Sequence, residues 1–223
     1  MRTSESRDFM EIIPAIIGKD FDEVEGKVLS VENFVDWVHL DIMDGIFTPN
    51  ENLAHFDIKK KHEDLKCEVH LMVRQPEKVV SKWVEASVDR VLVHYESTNE
   101  DSLGNALNEL NNSEVEAGMV LKLETPIGVL DKFIDKLDVV QLMSIAEIGS
   151  YGQPFEEGIY EKIKSLRAKY PSVTISVDGG VNLDNARGLV SAGADNLVIG
   201  SAIFGSENIS DTIARFMSEM FVS

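Results

Sequence analysis

Between residues 37 and 43 apolar and polar positions alternate. Val38, Leu40 and Ile42 fall on one side of an extended chain, and His39 and Asp41 on the other, followed by Met43. The rise of a strand sets the imidazole and the carboxylate about 7 Å apart. The stretch fits a half-exposed strand whose polar side faces water. It fits equally a strand that turns both groups into a site, and the rest of the chain bears on that choice.

Residues 11–17 are an apolar run, predicted as a buried strand in which Pro14 suits only an end or a bulge. Asp20 is placed to cap a helix over 21–31, with Phe21, Val24, Val28 and Leu29 as its apolar stripe. Gly45, Pro49 and Asn50 mark 44–52 as a loop. Residues 66–72 read as a third strand, with Glu68, His70 and Met72 on one face and Cys67, Val69 and Leu71 on the other. Pro76 opens a helix to about residue 86, and 90–94 is a fourth strand ending in His94. A helix near 100–111, a strand at 117–122, a helix opened by Pro126 and a strand at 138–144 follow. After a loop over 145–154 come a helix at 156–169 and a strand at 173–178. Residues 183–192 then form a helix ending at Gly193, 196–200 a strand and 207–221 a last helix.

Eight strand–helix alternations imply a parallel sheet, and eight within one domain predict a (β/α)8 barrel over 1–223, with 1–9 a polar tail. A doubly wound sheet is the alternative. In a barrel, function sits at the C-terminal strand ends, where Asp41, His70, His94 and Asp178 lie. The 43% hydrophobic content of 223 residues suffices for such a core. A net charge of −18 argues against nucleic acid or an anionic membrane as partner, and suits a saline environment. No apolar run approaches the ~20 residues that span a bilayer. The polar N-terminus lacks a signal segment, and the single Cys67 excludes an internal disulfide; together these predict a cytoplasmic protein.

His39, Asp41, His70 and Asp178 are two imidazoles and two carboxylates from three strands. In a barrel all can point at one axial site. Such a donor set suits one divalent metal ion: Zn²⁺, Fe²⁺, Mn²⁺ or Co²⁺. Two carboxylates facing each other across a substrate suit proton removal on one face and return on the other, with a metal stabilising the enediolate formed beside a carbonyl. Asp178 also precedes Gly179-Gly180, where an Asp can serve simply as a turn residue. Gly179, Gly180, Gly200 and Ser201 follow the last two strands, where barrels bind phosphate through backbone N–H groups. Met43, Met72 and Met143 near strand ends are predicted as core filling. His94 is predicted as a hydrogen-bonded core or rim histidine.

These segments resemble the ribulose-phosphate 3-epimerases. The resemblance is carried by residues 37–45 with Phe47, Pro49 and Asn50, by 69–72, 93–94 and 142–144, by 177–181 and by 200–205, in the family's order. It implies a (β/α)8 TIM barrel of the ribulose-phosphate-binding type that interconverts D-ribulose 5-phosphate and D-xylulose 5-phosphate. It implies metal ligation by His39, Asp41, His70 and Asp178, with Asp41 and Asp178 as the acid/base pair. Met43, Met72 and Met143 would line the pocket, and Gly179, Gly180, Gly200 and Ser201 would grip the phosphate. Family members commonly assemble, which implies a homo-oligomer acting on a small phosphosugar.

The chain departs from the family pattern in three places. Ala15 stands where a serine hydroxyl is usual, and Leu123-Glu124 replaces a Pro-Gly turn after Lys122. The substrate-covering loop is replaced by residues 146–153, about one residue longer, in which Gly149, Ser150 and Gly152 can keep part of the phosphate role. The catalytic set is therefore expected intact and the shell that holds the sugar altered. Two further readings stay open: an epimerase of another phosphoketose such as allulose 6-phosphate, and a non-catalytic sugar-phosphate-binding barrel.

Overall fold

Eight parallel strands close on themselves in the computed structural model, which describes residues 10–52 and 58–221. The strands are β1 (Glu11–Ile16), β2 (Trp37–Met43), β3 (Lys66–Met72), β4 (Arg90–His94), β5 (Glu116–Leu121), β6 (Val139–Met143), β7 (Thr174–Asp178) and β8 (Asn196–Ile199). Each pairs with its neighbours in sequence, and β8 returns to β1. The doubly wound alternative is thereby set aside. The polar tail expected at 1–9 lies outside the described residues.

The β2–β3 register positions the site. Seven pairs run from Trp37–Lys66 to Met43–Met72, setting His39 beside Glu68 and Asp41 beside His70. Paired residues project to the same side of a sheet. His39, Asp41, Met43, Glu68, His70 and Met72 therefore share the inner face, while Val38, Leu40, Ile42, Val69 and Leu71 pack outward beneath the helices. All seven residues of β2 are buried, so its polar side faces the barrel axis and not solvent. Across the barrel, β6 and β7 align Gln141 with Ser176 and Met143 with Asp178.

The helical layer follows local rules. Helix α1 (Phe21–Val31) begins where the Asp20 carboxylate accepts the Glu23 N–H at 2.9 Å. Its buried stripe is Val24, Val28 and Val31; Leu29, expected there, is 54% exposed because it follows Val28 by a ~100° turn of the helix. Next come α2 (Ile58–Lys61), α3 (Val80–Glu85) and α4 (Glu100–Asn111), the last capped by Asn99. Helix α5 (Ile159–Lys169) starts after Gly158, three residues later than expected. Helix α6 (Leu183–Ala192) opens with a reciprocal Asn182–Asn185 cap and ends on Gly193 in the left-handed region. Helices α7 (Ser201–Phe204) and α8 (Ile209–Phe221) close the chain.

Two further expectations are corrected. The helix expected after Pro126 is a pair of 3₁₀ segments, Ile127–Lys132 and Ile134–Lys136. Gly128 and the β-branched Ile127, Val129 and Ile134 favour helix weakly, and β6 starts soon after. Pro14 lies inside β1 rather than at an end. The registered pairs with β2 are Ala15–His39 and Ile16–Leu40, so that ladder begins just beyond the proline. Among the described residues no helix is long and apolar enough to cross a membrane.

Candidate metal centre and active site

His39, Asp41, His70 and Asp178 meet at the C-terminal end of the barrel. One ligand atom from each lies within 4.8 Å of all the others. His39 Nε2 is 3.2 Å from Asp41 Oδ1 and 3.2 Å from His70 Nδ1. His70 Nδ1 is 2.9 Å from Asp41 Oδ1 and 3.6 Å from Asp178 Oδ2.

The outer partners decide which nitrogen faces this cluster. A carboxylate only accepts, so His39 Nδ1–H donates to Glu68 Oε1 at 2.7 Å and leaves Nε2 as a lone pair. His94 Nδ1–H likewise donates to Glu96 Oε2 at 3.2 Å. His94 Nε2 then accepts from His70 Nε2–H at 2.9 Å, and His70 Nδ1 is left bare. Two imidazole lone pairs thus face each other beside two carboxylates. That arrangement calls for a cation or extra protons. Donors around a tetrahedral ion with ~2.05 Å bonds stand about 3.3 Å apart, and the separations here bracket that value. The four residues fit one divalent metal ion. His94 belongs to the support of His70, as a buried hydrogen-bonded histidine.

Both supports extend away from the cluster. Glu68 Oε2 accepts from Arg90 Nη1 at 2.7 Å; Arg90 also binds Glu116 and stacks 4.1 Å over Trp37. On the other side Glu96 is held by the Lys122 N–H and the Thr125 hydroxyl. The Lys122 ammonium itself rests 5.0 Å over the Phe47 ring rather than in the site. Asn52 fastens the end of β2, accepting the Met43 N–H and donating to the Asp41 carbonyl.

Protonation follows from these surroundings. Burial works against charge on Asp41, but His39 and His70 outweigh it and hold the carboxyl low. Burial likewise opposes a charged His39; Asp41 and Glu68 outweigh it and hold the imidazole well above its ordinary range, so that with no cation bound the extra proton sits on Nε2 and a metal ion has to displace it. Asp178 goes the other way: burial, assisted by Asp41 and Glu68, raises it to about 6 against the opposing His39 and His70. His94 is pushed down to about 4, first by burial, which keeps it neutral in its relay.

Asp41 and Asp178 look into a cavity of about 50 Å³ whose wall includes Met72, Met143, Gly149, Ser150, Gly152, Gly179, Gly180, Gly200 and Ser201. Met43 does not reach that wall; its sulfur lies beneath Gly149 in an apolar cluster with Met72 and Met143. Gly179 and Gly180 both have positive φ, and a Cβ on Gly180 would meet the backbone of Phe155 at 3.1 Å.

Segment 145–153 is folded down over the site. The Asn50 amide donates to the Gly149 carbonyl at 2.8 Å. The Tyr151 hydroxyl donates to the Ala15 carbonyl at 2.7 Å and accepts the Ile17 N–H at 3.0 Å, while its ring covers Gly200. Pockets for small organic ligands run to about 300–1,000 Å³. The segment therefore has to move to admit one. Ala15, noted for its missing hydroxyl, is met by the hydroxyl of Tyr151.

The residue pattern alone missed Glu68, Arg90, Glu96, Gln141 and Tyr151. Glu68 carried a signal, since it shares the inward face of β3 with His70. The others come from separate strands or from the altered loop, and only the closed barrel brings them in.

Residues 11–204 match the model of the Ribulose-phosphate 3 epimerase family. The chain is 35% identical over 215 residues to the ribulose-5-phosphate-3-epimerase, chloroplastic, of Arabidopsis thaliana, covering 93% of this chain and 76% of that one. It is 32% identical over 214 residues to the ribulose-phosphate 3-epimerase of Bacillus subtilis, covering 92% and 97%. Among solved structures, KGPDC from Streptococcus mutans superposes with a TM-score of 0.76 at 13% identity, over 96% of this chain and 98% of that one. A 3-hexulose-6-phosphate synthase superposes at 0.74 with 18% identity, over 95% and 100%. At these identities the structures speak to fold, and they are similar in fold to this chain.

Proposed function

Because this chain belongs to the ribulose-phosphate 3-epimerase family, an isomerase family, we propose that it interconverts D-ribulose 5-phosphate and D-xylulose 5-phosphate by moving the C3 proton between Asp41 and Asp178. The observation that carries this reading is geometric: the Asp41 and Asp178 carboxyls, from β2 and β7, both face one cavity beside the two imidazoles, and their environments differ. One is held low by two imidazoles; the other is raised by burial to about 6. Two acids pushed apart in this way are suited to give and take protons at the same carbon.

Asp41 and Asp178 come from β2 and β7, on either side of the β8–β1 junction. One takes the C3 proton from one face of the sugar and the other returns a proton to the opposite face; the roles exchange with direction. His39, Asp41, His70 and Asp178 would hold the metal ion, whose chemistry is to stabilise negative charge on the substrate oxygens as the proton leaves. Met72 and Met143 form an apolar wall that excludes water from the carbanionic carbon. Backbone N–H groups of Gly179, Gly180, Gly200 and Ser201 receive the phosphate, and Gly149, Ser150 and Gly152 close over it. Met43 acts from beneath, supporting Gly149. The same reading takes 1–223 as one barrel domain, cytoplasmic and homo-oligomeric.

The test is exchange of the C3 proton of ribulose 5-phosphate with solvent deuterium, in protein loaded in turn with Zn²⁺, Fe²⁺, Mn²⁺ and Co²⁺. No exchange with any metal refutes the proposal. A second reading, epimerisation of a six-carbon phosphoketose, is favoured by one observation: Tyr151 and Ala15 reshape the β1 side of the cavity. Comparing kcat/KM for ribulose 5-phosphate and allulose 6-phosphate separates the two. Retention of all four ligand residues weighs against a barrel that merely binds.

A further inference from the structure

Gln141 stands on β6, fully buried inside the barrel, and its Nε2 donates to Asp178 Oδ2 at 3.2 Å. A carboxylate cannot donate when ionised, so the amide nitrogen is the end that faces it. The same nitrogen lies 3.9 Å from the Met143 sulfur. The other end of the amide is unsatisfied: Oε1 has no hydrogen-bond partner among the described residues. Ser176, its registered neighbour on β7, has an unpartnered hydroxyl as well.

A buried carbonyl oxygen without a partner is costly, and an aliphatic side chain of similar volume would serve a barrel core better. The amide is therefore poorly explained by stability. Resting on the epimerase reading above, we propose that Gln141 is a positioning residue for that reaction, holding the Asp178 carboxylate in the orientation from which it exchanges a proton with C3.

The two catalytic carboxyls are held differently. Asp41 Oδ1 sits against both imidazole nitrogens of the cluster, at 3.2 and 2.9 Å, and shares with them whatever cation or proton lies between. Asp178 lies farther from them, with His70 Nδ1 3.6 Å from its Oδ2. Among the described residues Gln141 supplies the hydrogen bond to that carboxylate. The Asp178 backbone is already fixed, because its carbonyl accepts from the Ser144 N–H and hydroxyl. What remains free is the side-chain torsion, and the Gln141 amide restrains it. Oδ2 carries that bond, so the positioning role assigns Oδ1 to the substrate. A neutral donor does this without adding charge to the site. Proton transfer is steeply sensitive to such placement: displacements of ~1 Å cost about 100-fold in rate.

Gln141→Met and Gln141→Leu remove the donor and keep the volume. Both variants are compared with the wild type for C3–deuterium exchange kinetics, Co²⁺ affinity by titration, and Tm. The expected result is kcat lowered about 10- to 100-fold, KM and Co²⁺ affinity within about threefold of wild type, and Tm unchanged or raised. A glutamine that is only structural would show the reverse, a lower Tm with kcat preserved. Wild-type kcat in both variants overturns the positioning role while an active wild type keeps the epimerase reading. Unfolding of both variants also overturns it, since it requires that the amide not be needed for stability. An inactive wild type overturns the epimerase reading and this inference with it.

Discussion

Glu68→Gln is the sharpest probe of the candidate metal centre, because it changes one atom and leaves all four candidate ligands in place. Glu68 is wholly buried and accepts on both oxygens, from His39 Nδ1 at 2.7 Å and from Arg90 Nη1 at 2.7 Å. An amide has one accepting oxygen, so it cannot serve both donors. If its oxygen faces His39, its NH₂ opposes the buried Arg90. If its oxygen faces Arg90, His39 must accept at Nδ1, which moves the proton to Nε2, the nitrogen turned toward the ligand cluster. The first arrangement costs a charged hydrogen bond, about 1.5–3 kcal/mol. At about 2–4 °C per kcal/mol for a chain of this size, Tm falls by about 3–12 °C. The second protonates a ligand atom, and loss of such an outer partner weakens metal affinity by about 10- to 100-fold. The assays are competitive Zn²⁺ titration and thermal unfolding with and without metal. Wild-type Zn²⁺ affinity together with wild-type Tm would refute the tautomer assignment on which the metal site rests.

Three further outcomes are expected. Asp178→Asn should abolish C3 exchange. In metal-free protein it should also be more stable than wild type at pH 7, by up to about 3 kcal/mol for a carboxyl raised to about 6. A raised carboxyl favours folding when protonated, so its contribution is full below the unfolded value near 4 and is lost as pH rises through about 6; the gap between variant and wild type must close toward pH 4, and a pH-independent gap contradicts the assignment. Tyr151→Phe removes both hydroxyl bonds to β1, worth about 0.5–1.5 kcal/mol each, and should speed amide hydrogen exchange across 145–153 roughly tenfold; unchanged exchange would show that the hydroxyl does not hold the segment down. Chelation should lower Tm by about 5–10 °C from protein held at 100-fold the metal Kd, and an identical Tm would argue against a resident metal.

The strands that build the site were legible because β2 and β3 alternate strictly and a parallel register copies that alternation onto one face. Asp41, His70 and Asp178 could be placed toward strand ends, with His39 two residues before Asp41 on the same face, and closure of the barrel made them converge. Their supports were less legible. Arg90 and Glu96 act from β4 and the turn after it, and nothing in their local sequence says that they hold a carboxylate and an imidazole of β3 and β4. Met43 shares the parity of Asp41 yet lies under Gly149, because parity sets a face and not a depth. Leu29 and the 3₁₀ segments after Pro126 show the same limit. Apolar composition suggested a helix and its stripe, while the rotation per residue and the weak propensities near Gly128 decided otherwise.

The ligand atoms come from β2, β3 and β7, so the cluster straddles the junction where β8 meets β1. A cation bound there staples the first third of the polypeptide to the last. Emerging from a ribosome, the chain presents His39, Asp41 and His70 long before Asp178, and the full set exists only once the sheet has wrapped round. Metal uptake would in this sense be a checkpoint on completed folding: the ion would reward the closed ring, lower the benefit of any partly wound state, and tie catalytic competence to chain completion.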